Sequence, residues 1–275
     1  MSKKKQRYPQ PITSEATPTA RQIRLKQKLE PLNYSQELYL QSLRTSPLTL
    51  GVGPAGSGKT FLVTGVALEK LLGREVDKII ITRPVVESDE KLGFLPGTLE
   101  EKLDPYLRPI YDAIQDHVGP TMAKQLLERQ HIEIAPLAYM RGRTFNNAYV
   151  ILDEAQNSTV KQMKMFLTRP GFNTFACVDG DVTQSDLVRP RDHAGPWENG
   201  LQFAIRKLAG RSNMVMFNEF HNQDVIRSDL AREMVRLLDA PDERREAIDK
   251  GIRATTMGQV LHVAPHSGNG LSAAA

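Results

Sequence analysis

The residues Gly53-Pro54-Ala55-Gly56-Ser57-Gly58-Lys59-Thr60 fill every position of the pattern G-x-x-x-x-G-K-[ST]. Glycines at this spacing let the backbone curl until successive N–H groups point at one anion. A helix starting at the end of the loop adds the positive end of its dipole. The lysine of such a loop reaches the β- and γ-phosphates of a nucleoside triphosphate, and the threonine hydroxyl takes Mg²⁺. The pattern carries this meaning only where a strand ends and a helix begins. Both flanks comply: Leu48 to Val52 is a short apolar, partly β-branched run, and Phe61 to Leu72 has amphipathic helical spacing closed by Gly73.

Further along, Val150-Ile151-Leu152-Asp153-Glu154-Ala155-Gln156 places two adjacent carboxylates at the end of an apolar run. Asp153 is in the Walker-B position, where a carboxylate orders the Mg²⁺ shell beside Thr60. Glu154 stands where hydrolytic phosphate-loop enzymes keep the base for the attacking water. A kinase acting on a small molecule needs no such base, so the pair argues for hydrolysis. Two buried carboxylates this close repel unless a divalent cation and Lys59 neutralise them. A third run, Val178-Asp179-Gly180-Asp181-Val182-Thr183-Gln184, offers Gln184, whose amide can bond both γ-phosphate and water. Upstream, Gln36 has two readings: an adenine contact through the N6 and N7 edge, or an exposed helix residue.

These residues need a scaffold. Leu32 to Leu43 reads as a helix entered through a polar cap, and Asp77 to Arg83 as a central strand stopped by Pro84. A mainly helical region is expected from Thr98 to about Arg129. Apolar runs at 131–135, 148–153, 173–179 and 213–217 follow, separated by helical patterns. Alternation of this kind predicts an α/β fold, a parallel β-sheet covered by helices on both faces. Ligands of such folds sit beyond the carboxyl ends of the strands.

Composition narrows the class. The 275 residues suffice for one α/β domain with tails. No run reaches the roughly 20 apolar residues of a membrane span, and the first residues carry no apolar leader; no membrane partner and a cytoplasmic location are therefore expected. Cys177 is the sole cysteine, in an apolar run, so no intramolecular disulfide forms and a buried structural thiol is expected. Six scattered histidines give no zinc pattern. The net charge of +4 conceals an asymmetry. Residues 1–30 hold eight basic side chains against Glu15 and Glu30, and the remainder is mildly acidic. This arm, poor in apolar residues, is expected to be disordered or loosely attached, and serves either nucleic-acid phosphates or solubility. The loop 189–199, rich in Pro and Gly and holding Trp197, reads as a surface loop or as a base-stacking platform. Residues 241–275 lose apolar periodicity and are expected to be a largely disordered tail.

Taken together, these motifs resemble the PhoH family of P-loop ATPases, related to the first motor domain of superfamily 1 helicases. The resemblance runs from about Leu32 to Leu238 and includes Thr82-Arg83-Pro84, Leu92 to Gly97, Asp104 to Pro109, Tyr139 to Phe145, Asp153 to Gln156 and Gly180 to Gln184. It implies a single RecA-like domain over residues 31–240, binding and hydrolysis of ATP with Mg²⁺, a homo-oligomeric ring such as a hexamer, and a link to single-stranded RNA or DNA. It sends Lys59 and Thr60 to phosphate and Mg²⁺, Asp153 and Glu154 to metal and water, and Gln184 to the γ-phosphate. Arg83 falls where helicases contact the strand, with a structural ion pair as the alternative. Arg141 and Arg143 are open between phosphate binding and subunit bridging. Arg227 lies where the family carries a finger arginine, but Ser228-Asp229-Leu230 replaces the commoner His-Pro-Leu. The loop 189–199 also departs from the family's compact loop. Helicases of this class translocate with two motor domains and one is read here. Either a neighbouring subunit completes the site, or the protein is an ATP-dependent assembly switch with little turnover.

Overall fold

The computed structural model describes residues 25–84, 99–187, 197–226, 229–231 and 233–234. The basic arm as far as Arg24, the Leu92–Gly97 motif, Arg189 to Pro196, Arg227 and the tail from 241 lie outside the described residues. The chain divides into two compact units, 1–226 and 227–275. Of the second, the described residues are helical.

The first unit is built in the order α1 (Tyr34–Thr45), β1 (Leu48–Val52), α2 (Lys59–Leu72), β2 (Lys78–Arg83), α3 (Leu99–Val118), α4 (Pro120–Glu128), β3 (Ile132–Pro136), β4 (Ala148–Leu152), α5 (Val160–Leu167), β5 (Phe175–Gly180), α6 (Gly200–Leu208) and β6 (Val215–Glu219). All strand pairings are parallel, in the order β3-β2-β4-β5-β1-β6. The expected sheet is therefore present, and β5 stands between the phosphate-loop strand β1 and the Walker-B strand β4. This is the α/β architecture of a single RecA-like P-loop domain.

Pleating explains how one sheet feeds two cores. Ile79, Ile81, Tyr149, Ile151 and Cys177 face a cluster with Leu43, Val66 and Ile114. Their neighbours Ile80, Val150, Leu152 and Val178 face the opposite cluster with Met163, Phe166 and Leu201. Strands buried on both faces read as continuous apolar runs, which is why they were legible. Local chemistry sets the helix starts: Asn33 caps α1 by accepting from the Gln36 N–H, and Thr159 and Asn199 close capping boxes at α5 and α6.

The inner end of the arm differs from expectation. Leu29 is buried against the α2 side of the core, and the Lys26 N–H donates to the His117 carbonyl at 2.7 Å. A Cβ on Gly65 would lie 2.6 Å from Leu29, so a helical glycine makes the seat for this leucine. Residues 25–30 thus belong to the packed unit, because one apolar side chain in a basic stretch finds a matching hollow. Among the described residues no helix is long and apolar enough to cross a membrane.

Candidate nucleotide site

The site forms where β1, β4 and β5 end together. Backbone bonds beyond the ladders stitch these ends to one another and to β2: the Gly53 N–H donates to the Gly180 carbonyl at 3.1 Å, and the Asp153 N–H to the Thr82 carbonyl of β2 at 3.0 Å. Gly53 leaves β1 at φ +146, and a Cβ there would meet the Phe220 carbonyl oxygen at 2.4 Å. Gly58 caps α2 at φ +87, with Gln36 Nε2 where a side chain would begin. Both conformations are ones that only glycine adopts without strain.

A pocket of about 250 Å³ is lined by Ala55, Gly56, Gly58, Lys59, Thr60, Asp153, Glu154, Gly180, Asp181 and Gln184. A wider hollow, about 460 Å³, flanks the loop near Pro54, Glu219 and His221. The smaller one holds the chemistry, since the lysine, the hydroxyl and the paired carboxylates all face it. The structure thus brings Ala55, Gly56, Gly58, Lys59, Thr60, Asp153, Glu154 and Gln184 to one pocket, while Gly53 and Pro54 line the neighbouring hollow and Ser57 lines neither. Gln184 sits on the exposed rim, in a turn where Asp181 Oδ1 accepts from the Thr183 N–H at 2.9 Å.

Lys59 Nζ points into the loop and donates to the carbonyls of Gly53 (2.7 Å) and Pro54 (2.9 Å). Burial lowers its pKa, opposed by the carboxylates of Asp179, Asp181, Asp153 and Glu154. An ammonium held in this way favours an incoming anion. Thr60 Oγ1 donates to Asp153 Oδ1 at 3.1 Å. A hydroxyl and a carboxylate oxygen converging beside a phosphate cradle are hard oxygen donors of the kind Mg²⁺ takes, so the residues present fit that ion.

Glu154 adopts a left-handed backbone, φ 53 and ψ 41. This conformation costs a non-glycine residue about 1 kcal/mol or more. It turns the chain immediately after β4, so Asp153 and Glu154 share one side instead of alternating. Arg83, at the end of β2, grips both: its guanidinium lies 2.9 Å from Asp153 Oδ2 and 3.3 Å from Glu154 Oε1, with 14% of the side chain exposed. Of its two readings, the structure places Arg83 in the ion pair. Arg143 is likewise engaged, paired with both oxygens of Glu133 and lying 4.8 Å over the Phe145 ring; that pairing holds Glu133 below its usual pKa. Arg141 is exposed beside it.

Gln36 is buried rather than exposed, with 2% of its surface accessible. Its amide donates to the Ser57 carbonyl at 3.0 Å and accepts from the Leu32 N–H at 2.9 Å. Adenine pairing would therefore draw on the second amide proton and the second lone pair.

Two sets of residues escaped the motif reading. Gln156 is buried and bonded to Glu154 Oε2. Behind the loop, Asp179 is fully buried among Tyr39, Cys177 and Gly51. Cys177 is buried as expected, yet it donates to Asp179 Oδ1 at 3.3 Å, and burial pushes the thiol pKa up. The signal for both sets was a polar side chain inside or just after an apolar strand.

Comparison with known proteins agrees with this geometry. A family model described as PhoH-like protein matches residues 28–239. A PhoH-like protein of Mycobacterium tuberculosis (strain ATCC 25618 / H37Rv) is 46% identical over 207 residues, covering 75% of this chain and 57% of its own length. A PhoH-like protein of Bacillus subtilis (strain 168) is 45% identical over 232 residues, 84% of this chain and 68% of its own. Protein PhoH of Escherichia coli (strain K12) is 43% identical over 237 residues, 83% and 65% respectively. The chain spans little more than half the length of the mycobacterial relatives. Among solved structures, the large terminase from a thermophilic bacteriophage superposes with TM-score 0.48 at 10% identity, over 78% of this chain and 52% of that one. The family match covers well over half of the sequence and includes the whole site, so the chain belongs to the PhoH-like family.

Proposed function

We propose that this protein is an Mg²⁺-dependent ATPase whose turnover is coupled to nucleic acid. The observation carrying the proposal is the convergence of Lys59, Thr60, Asp153, Glu154 and Gln184 on one pocket. Binding alone needs the first three. A carboxylate beyond the metal aspartate, held by Arg83 and Gln156, is the part that serves a water nucleophile.

In this reading the loop amides and Lys59 hold the phosphates, and Thr60 and Asp153 hold the ion. Mg²⁺, when bound, supplies neutralisation of the β- and γ-phosphate charge. Glu154 accepts the proton of the attacking water. Gln184 bonds the γ-phosphate from the rim, and Gln36 contacts adenine through its spare donor and acceptor. Arg227 is the candidate finger on the transition-state charge, supplied within or between subunits of a homo-oligomer.

Lys59→Ala should abolish phosphate release through lost binding. Glu154→Gln should lower it by roughly 10²–10⁴-fold while a fluorescent ATP analogue still binds. Phosphate release by Glu154→Gln at the wild-type rate would sink the mechanism. The nucleic-acid proposal rests on the basic arm and the family. It predicts that single-stranded RNA or DNA stimulates turnover and that the stimulation fades with salt; an unchanged rate with either polymer would remove it.

A further inference from the structure

The turn carrying Glu154 and the segment carrying Gln184 come from neighbouring strands, and hydrogen bonds lace them together. Gln156 is at the centre, with 2% of its surface exposed. Its Nε2 donates to Glu154 Oε2 at 2.6 Å, and its Oε1 accepts from the Asp181 N–H at 3.0 Å. Its backbone carbonyl accepts from Ser185 Oγ at 3.0 Å. Next to it, Asn157 Oδ1 accepts from the Asp186 N–H at 2.8 Å, and Asn157 Nδ2 donates to Asp186 Oδ2 at 3.0 Å. Gly180 leaves the room required, since a Cβ there would lie 2.5 Å from Gln156 Oε1. One buried amide thus has its donor on the carboxylate and its acceptor on the backbone three residues before Gln184.

We infer that Gln156 is a positioning residue: it aims Glu154 and couples that aim to the β5 end segment that carries Gln184. The inference rests on Glu154 acting on water. A carboxylate with 43% of its side chain exposed keeps a fixed direction only if its oxygens are held. Arg83 takes Oε1 and Gln156 takes Oε2, so a shift of residues 181–184 toward a γ-phosphate would pass through the Asp181 N–H to the Gln156 amide. The two holds differ in kind. That of Arg83 is a charged hydrogen bond, longer at 3.3 Å and shared with Asp153, whereas that of Gln156 is a neutral one linked to the segment that carries Gln184.

The test combines two substitutions with two backgrounds. Gln156→Leu removes both bonds; Gln156→Glu keeps an acceptor for the Asp181 N–H but sets a carboxylate against Glu154. Each should lower kcat by about tenfold or more, with KM and affinity for a non-hydrolysable ATP analogue within about threefold of wild type. Under single-turnover conditions in the Glu154→Gln background, Gln156→Leu should change the residual rate by less than about twofold. An equal loss in both backgrounds, or a loss of analogue affinity matching the loss of kcat, would overturn the inference. If the wild-type protein does not hydrolyse ATP, the functional reading fails, and hydrogen exchange still tests the coupling. Analogue binding should protect amides 153–157 in the wild type and not in Gln156→Leu; protection surviving that substitution would overturn the inference independently.

Discussion

Two aspartates at adjacent strand ends have opposite environments. Leu152 of β4 pairs with Val178 of β5, so Asp153 and Asp179 follow in register on neighbouring parallel strands. Asp153 has an arginine on one oxygen and a threonine hydroxyl on the other. Asp179 has a phenol and a thiol on Oδ1, and its Oδ2 is buried with no hydrogen-bond partner among the described residues. Burial, with Asp153 adding repulsion, outweighs the hydrogen bonds and raises its pKa from 3.8 to about 7. One carboxylate thus lines the pocket, paired with an arginine, and the other is carried inside the scaffold with its ionisation shifted toward neutral pH. Position along the sheet does not separate them; the side chains arriving from other elements do.

The comparison can be broken most sharply from the Asp153 side. Asp153→Asn removes the anionic partner of Arg83 and one oxygen proposed for Mg²⁺, and should lower phosphate release by roughly 10²–10³-fold. A rate within about threefold of wild type would mean that the pocket does not use this carboxylate. On the Asp179 side the largest effect is steric. A Cβ on Gly51 would lie 2.3 Å from Asp179 Oδ1 and 2.8 Å from the Tyr39 ring. Gly51→Ala should cost roughly 2–3 kcal/mol of unfolding free energy in urea.

Asp179→Asn sharpens the electrostatic half. A raised native pKa means that the folded protein holds a proton the unfolded chain releases. This contribution to stability is present at low pH and declines between about pH 4 and pH 7. The asparagine variant lacks that decline, so its stability relative to wild type should be greater at pH 8 than at pH 5 by roughly 2–3 kcal/mol. Equal differences at the two pH values would show that Asp179 is not protonated in the fold. Tyr39→Phe should have the smallest effect, about 1 kcal/mol. The Tyr39 hydrogen bond holds the Asp179 pKa down, so its loss should also extend the pH-dependent window upward, visible in the same denaturation series.

The phosphate loop, Asp153, Glu154 and the six strands were legible because each combines a local pattern with a chemical requirement. A glycine spacing specifies a loop conformation, and a long apolar run specifies a strand buried on both faces. Arg83, Gln156 and Asp179 were not assigned to their partners, for a physical reason. Arg83 and Asp153 are 70 positions apart and Tyr39 and Asp179 are 140 apart. Nothing in either local stretch says which strand ends will be neighbours. The exposed-helix reading of Gln36 failed for the same reason: its burial is made by a loop 21 positions later.

The sequence by itself therefore determined the α/β class, the phosphate loop with its lysine and threonine, and the adjacent acidic pair, since these depend on short-range spacing and backbone geometry. The order β3-β2-β4-β5-β1-β6 decided the rest. It places β5 between the phosphate loop and the acidic pair, Arg83 against Asp153, and Tyr39 against Asp179. Charge and burial depend on distances across strands, and those distances exist only once the sheet has formed.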